Sequence, residues 1–288
     1  MKKLFLGILV AIVTSPIVAQ RSEVGGFVGG AFYLGDLNPT GLFSQTQPAV
    51  GAIYRYNITS RWTVRGNALW GTVTADDIKH ENPRNLSFRS RITEFSVQAE
   101  LSFLPYFTGS FKKYRFSPYI FGGAGLFTFN PQAYFFDPAN LEGYWIDLAP
   151  LSTEGQGLPE YPNKKTYRTA QIAFPFGLGF RYSLNSIFSI GLEWGMRKTF
   201  TDYIDDVSGF YADPLILEAQ IGAMSAHFSD RSEVPNPVGS QRGNSNKTDW
   251  YSFAGVTLTA KIGKGRKEPC SSYKQSAVER IKRAMGDF

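Results

Sequence analysis

Charged side chains recur at positions where they are costly unless paired. Arg55, Arg65, Glu94, Glu100, Arg181, Glu193, Arg197 and Lys261 each lie in a stretch that alternates apolar and polar residues, always on the polar parity. If those stretches enclose a narrow interior, carriers of both signs must form ion-pair networks there, because a buried charge is tolerated only when paired and hydrogen-bonded. A second cluster is "TFTDYIDDVS" (199–208), whose Asp202, Asp205 and Asp206 are of the type that gathers a hard divalent cation. The spacing is not that of an EF-hand loop, so a solvated loop, or a local cap pairing with loop Arg and Lys, is expected instead. A third candidate is nucleophilic. The chain has two histidines, His80 and His227, and Ser225 and Asp230 flank the second. A hydrolase or acyltransferase would need such a His beside a Ser with an acid to orient it. The same segment, "AQIGAMSAHFSD" (219–230), also reads as an amphipathic loop helix carrying a surface His. The glycine motifs "FGGAGLF" (121–127) and "FGLGFRY" (176–182) lie within strands and lack a Walker lysine, so they signal close packing rather than phosphate binding.

The elements that position these residues follow from period-two alternation. Eight strands are predicted, at 23–33, 48–57, 61–74, 89–103, 116–129, 168–183, 187–199 and 249–263. The connections alternate strictly, long and polar at 34–47, 75–88, 130–167 and 200–248, shorter at 58–60, 104–115 and 184–186. That rhythm is the mark of an all-β, eight-stranded antiparallel up-and-down transmembrane barrel, with long loops outside and short turns in the periplasm. In the fourth strand Phe95, Val97, Ala99, Leu101 and Phe103 oppose Glu94, Ser96, Gln98, Glu100 and Ser102. Aromatics on the apolar parity cluster at both ends: Tyr56, Trp62, Phe103, Tyr119 and Tyr182 at one, Trp70, Phe200 and Trp250 at the other. Two such belts favour a bilayer over water as the outer environment. Eight strands leave an interior that side chains fill, so a rigid plug of salt bridges is expected rather than a conduction pathway.

The ends of the chain set its compartment. Residues 1–19, "MKKLFLGILVAIVTSPIVA", form a signal peptide with a plausible cut before Gln20, and no Cys follows the cut for lipidation. The barrel is assigned to 20–263 and a basic periplasmic tail to 264–288. Mean hydropathy is −0.19, and no later apolar run is long enough for a spanning helix. A formal charge of +6 is modest and does not point to nucleic acid, and the lone Cys270 excludes an intrachain disulfide. The tail carries seven basic and three acidic side chains. Ser276 and Glu279 make a capping-box pattern, and Val278, Ile281 and Met285 share one helical face. Two readings stand for it: a disordered basic extension, or a docking segment for a periplasmic protein through Arg266, Lys267, Val278, Ile281, Arg283 and Met285.

Several stretches together resemble the PorG family, an outer-membrane component of the type IX protein secretion system of Bacteroidetes. They are "YLGDLNPTG" (33–41), "PYIFGGAGLFTFNP" (118–131), "FPFGLGFRY" (174–182), "KTFTDYIDDVSG" (198–209) and "DWYSFAGVTLTAKIG" (249–263). The resemblance implies an eight-stranded barrel associated with a periplasmic ring of PorK and PorN. It implies neither an enzyme nor a general pore, and so no cofactor or small-molecule substrate; in gliding species it implies indirect service to adhesin export. The expected function is a non-catalytic anchor or scaffold in contact with outer-membrane lipid. The alternatives are a lipid-modifying enzyme using His80 or His227, and a surface adhesin displaying the loops at 130–167 and 200–248.

Overall fold

The computed structural model describes residues 22–39, 41–77, 84–106 and 115–262. The signal segment, His80 and the tail from 263 onward, with Arg266, Lys267, Cys270, Val278, Ile281, Arg283 and Met285, lie outside the described residues. Among the described residues there are ten strands: β1 (Ser22–Leu34), β2 (Gln47–Asn57), β3 (Trp62–Asp76), β4 (Ser87–Ser102), β5 (Phe116–Thr128), β6 (Pro131–Asp137), β7 (Glu142–Asp147), β8 (Ala170–Ser183), β9 (Phe188–Thr199) and β10 (Trp250–Lys261). Eight of them close a barrel, in the order β3-β2-β1-β10-β9-β8-β5-β4 with β4 returning to β3. Every pairing is antiparallel, and the closing contact of first and last strands sets Val28 opposite Val256. Closure satisfies the ladder of each strand on both sides, which is what allows a sheet to cross lipid.

The short turns are held by side chains suited to the task. Asn185 Oδ1 accepts the backbone N–H groups of Ile187 and Phe188, both at 2.8 Å, and so reverses the chain between β8 and β9. Thr59 Oγ1 accepts Trp62 N–H at 3.0 Å in the β2–β3 turn. The two additional strands were not foreseen. β6 and β7 form a hairpin within the predicted loop 130–167, joined to the rim by the pairs Arg89–Gln132 and Ser90–Pro131. Two short helices, α1 (Pro214–Gln220) and α2 (Ala223–Ser229), lie in the loop after β9. Phe228 of α2 packs with Phe135 of the hairpin.

The two surfaces of the barrel are inverted relative to a water-soluble protein. Val28, Phe95, Val97 and Leu126 on the outside are each more than 60% exposed, whereas Arg55, Arg65, Arg181 and Arg197 inside are at most 1% exposed. Trp62, Phe103 and Tyr182 ring the short-turn end, and Trp70 and Phe200 the loop end. Tyr119 is a correction: it points into the lumen, where its hydroxyl donates to Glu193 at 2.9 Å. The segment Pro118–Phe121 has large apolar groups on both parities, so alternation alone could not assign its faces.

The strand glycines make room for those interior rings. Gly177 and Gly195 are register partners on β8 and β9, and a Cβ on either would stand 2.7 and 2.6 Å from Phe121 Cζ. Phe121 in turn lies beneath the Arg65 guanidinium, 4.3 Å from its centre. Gly195→Val is expected to displace this ring and lower the unfolding midpoint in urea, at an overpacking cost of about 1–3 kcal/mol. An unchanged midpoint would show that the lumen has slack.

Candidate functional site

The lumen is filled from the short-turn end to the mouth. The lowest group of charges lies toward the short turns and is centred on Glu100. Its carboxylate accepts Arg55 Nε at 3.0 Å and pairs with Arg65 Nη1 and Arg181 Nη2, each at 3.1 Å. Glu193 receives Arg65 Nη1 at 2.6 Å and stands 3.7 Å from Arg55 Nη2. Gln98 Oε1 accepts the remaining edge of Arg65, from Nε at 2.8 Å and Nη2 at 2.6 Å. Higher up, Arg197 Nε meets Glu94 Oε2 at 3.0 Å, and Tyr251 donates to the same oxygen at 3.0 Å. Arg181 lies over Tyr119 and Arg197 over Phe253, both at 4.7 Å. The structure therefore gathers seven of the eight charged residues expected in the lumen. Lys261 is the exception: it sits half-buried at the end of β10, opposite Glu23 in register and away from this centre. Glu23 is buried too, accepting Asn57 Nδ2 at 2.9 Å. With Glu23, four arginines share the lumen with four glutamates.

Beside the Arg197–Glu94 pair and on toward the mouth lies an apolar cluster that includes Phe27, Leu69, Ile92, Phe127 and Phe253, with Leu69 and Phe127 the register partners of Glu94, and with Ile204 and Val207 from the loop after β9 joining it. Those two residues carry the acidic trio into the mouth, which overturns the expectation of a solvated loop. Asp202, Asp205 and Asp206 are 9%, 1% and 0% exposed. Tyr33 Oη is 2.5 Å from Asp205 Oδ2 and 2.7 Å from Asp249 Oδ1, so one phenol lies between two carboxyl groups. The other oxygen of each carboxyl accepts a loop amide, Val207 N–H at 3.0 Å and Ile204 N–H at 2.8 Å respectively. Asp206 accepts the Thr153 and Tyr167 hydroxyls, both at 2.6 Å. Pairing with loop Arg is present in another form: the buried Arg242 joins Glu154 at 3.1 Å and donates to the Asp206 carbonyl at 2.6 Å. Glu154 in turn accepts Ser208 N–H at 2.9 Å and Gly209 N–H at 3.0 Å. Burial pushes the carboxyls of Asp202 and Asp205 up to about 8. It pushes that of Asp206 up to about 6, against the opposing pull of Arg242. Asp249 is raised well above the ordinary range by burial and then by Asp205. Among the described residues no group of three or more Asp, Glu, His or Cys has metal-holding geometry.

The candidate nucleophilic residues are engaged separately. Ser225 Oγ donates to Leu151 O at 2.5 Å. His227 packs edge-on to Phe135 and Phe228, and burial lowers its pKa. Asp230 accepts the backbone N–H groups of Ser232 at 3.0 Å and Asn236 at 2.6 Å. Sequence reasoning missed Glu23 and Tyr251, both of which sit on the inward parity of their strands, and Tyr33, Glu154, Arg242 and Asp249 in the loop cap. For Glu154 and Arg242 no local signal exists, since they meet across 88 positions of sequence.

A family model described as a domain of unknown function (DUF6089) matches residues 2–143. No curated protein matches the chain in sequence. Among solved structures, Ail, the attachment invasion locus protein of Yersinia pestis, in complex with the heparin analogue sucrose octasulfate, aligns at 7% identity and a TM-score of 0.37. That alignment covers 83% of this chain and 96% of that one. Neisserial surface protein A aligns at 8% identity and a TM-score of 0.40, covering 84% and 97%. The outer membrane protein OprG from Pseudomonas aeruginosa aligns at 10% identity and a TM-score of 0.35, covering 83% and 94%. Among the described residues no helix is long and apolar enough to cross a membrane. The crossing is made by strands: a closed wall of eight, apolar outside and charged within, is a small transmembrane β-barrel of the bacterial outer membrane.

Proposed function

We propose that the protein is a non-catalytic anchor of the type IX secretion machinery, docking a periplasmic ring assembly of the PorK/PorN kind. The observation that carries this reading is the filled lumen. Ion pairs around Glu100 and Glu193, the apolar cluster that packs with them and the docked loop at 202–208 together occupy the interior. A barrel packed in this way offers no wide conduit, so its working surfaces are its rims and the segments that continue from them. The stretches "YLGDLNPTG" and "KTFTDYIDDVSG", which carry the resemblance to the PorG family, converge at the mouth, where Tyr33 meets Asp205. They support the family reading as parts of one built feature. β10 ends on the opposite rim, and the sequence that follows it, the basic stretch 264–288, is an extension that a simple anchor in lipid does not require.

The test is a pull-down from detergent-solubilised outer membranes, comparing the full chain with a version truncated after Gly263, once equal insertion of both is shown. The full chain is expected to bring down a periplasmic assembly that the truncated form loses. Recovery of the same assembly by both would move the contact to the short turns. If neither form recovers any assembly in a detergent that keeps such rings intact, the scaffold reading is overturned.

A further inference from the structure

The outward parity of β4 carries an anomaly at its loop end. From Phe95 downward it reads Phe95, Val97, Ala99 and Leu101, all apolar, but above Thr93 it continues as Arg91 and Arg89. Register sets Thr93 opposite Trp70, so both arginines stand just beyond the aromatic belt, on the face turned toward lipid. The ion pairs among the described residues include neither of them. A cation on the lipid face is costly at depth and tolerated at the interface, where phosphate is available to pair with it.

Around Arg89 the wall is built up. Its guanidinium carbon lies over Trp145 of the hairpin, 3.7 Å from the ring centre, and its Nε donates to Gln132 at 3.0 Å. The ring and Gln132 hold the guanidinium in place and leave its two Nη groups available to a ligand. A cavity of about 340 Å³ opens beside it, lined by Gln47, Trp70, Thr72, Thr74, Arg89 and Trp145. Two indoles line it together with Thr72 and Thr74, and the Thr74 hydroxyl donates to Phe88 O at 2.6 Å. Phe95 continues the outward face on the membrane side.

We propose that this groove is a binding site for the phosphate of an outer-leaflet lipid headgroup, held by Arg89 and Arg91, with Trp70 and Trp145 flanking the headgroup and Phe95 meeting the acyl chains. Arginine matches a phosphate bidentately, and the aromatic walls suit a ligand that is polar at one end and apolar at the other. The site also gives the β6–β7 hairpin a role, since it is the hairpin that supplies Trp145 and Gln132. The inference rests on the barrel sitting in lipid, and not on any periplasmic partner.

The test is native mass spectrometry of the full chain in detergent micelles titrated with phosphorylated lipid A. The wild-type protein is expected to retain one lipid A, and Arg89→Gln/Arg91→Gln to weaken retention on the order of 10-fold or more. Dephosphorylated lipid A should bind the wild type as weakly as the intact lipid binds the double variant. Lys198→Gln removes a cation from the outward face of β9 and should leave retention unchanged. Heat-modifiable migration on gels checks that each variant is folded, and Arg91→Gln alone serves if the double variant is not, because Arg91 is exposed. Equal retention by wild type and folded arginine variant would overturn the site. Displacement of lipid A by millimolar inorganic phosphate would make it a free-anion site and overturn the assignment to lipid.

Discussion

Glu100→Ala is expected to lower the stability of the folded barrel by about 3–5 kcal/mol, the usual cost of removing one partner from a buried ionic network. The reasoning is local. Glu100 is fully buried and stands between Arg55, Arg65 and Arg181 at 3.0–3.1 Å. Truncating it leaves three guanidiniums facing one another, of which only Arg65 keeps a close alternative carboxylate, Glu193 at 2.6 Å. Arg55 is 3.7 Å from Glu193. Arg181 keeps neutral support alone, from Ser102 Oγ at 2.8 Å and the rings of Tyr119 and Tyr106. Glu100→Gln preserves shape and one acceptor, and should fall between wild type and the alanine variant. The measurement is urea unfolding in detergent followed by heat-modifiable gel migration, with the midpoint read for all three forms. An alanine variant within about 1 kcal/mol of wild type would mean that the arginines are solvated, as in an exposed pair, and that the lumen is wet. The plug reading would then fail, together with the support it lends to a non-conducting scaffold.

This charge centre was legible in the sequence because it obeys the shortest rule available. Inward and outward side chains alternate along a strand, so Arg65 opposite Trp62 and Val64, or Glu100 between Ala99 and Leu101, announces its face. Strand number and the long–short rhythm of connections followed from the same period. Tyr119 was misassigned where Pro118–Phe121 puts bulk on both faces and the period falls silent. The loop cap was illegible for a different reason. Read locally, Asp202, Asp205 and Asp206 are three acids after a strand, the composition of a solvated turn. Their burial depends on Ile204 and Val207 entering the apolar cluster, and on Tyr33 and Asp249, which lie 216 positions apart. Nothing in a local window encodes that meeting. The hairpin β6–β7 was likewise hidden, since its inner face packs on α2, an element from a different loop.

The cap should loosen as pH rises, and this is the second large effect. A single phenolic proton at Tyr33 cannot serve two carboxylates 2.5 and 2.7 Å away, so the folded cap retains a proton on Asp205 or Asp249 that the unfolded loop releases at ordinary carboxylate pH. The charged groups near Asp205 beyond this pair include Asp36, which adds repulsion, and Arg242, which offsets part of it. The sign follows from linkage. Between about pH 4, where the unfolded carboxyls titrate, and the folded values of about 8 for Asp202 and Asp205 and about 6 for Asp206, the folded cap binds more protons. Its stability therefore falls across that window and levels off above it. Hydrogen exchange of the full chain reads this at the amides of Ile204 and Val207, which donate to Asp249 and Asp205. After correction for intrinsic rates, protection is expected to drop ~10-fold or more between pH 6 and pH 9, one pKa unit being worth a factor of ten. Asp249→Asn mimics the protonated acid, keeping an acceptor for Ile204 and offering a donor to Tyr33, so it should shrink the drop in protection to the part that Asp202 contributes. Wild-type protection that is flat across the same range would show that both carboxyls are ionised in place, with compensation from outside the triad, and the shared-proton account of the cap would be abandoned.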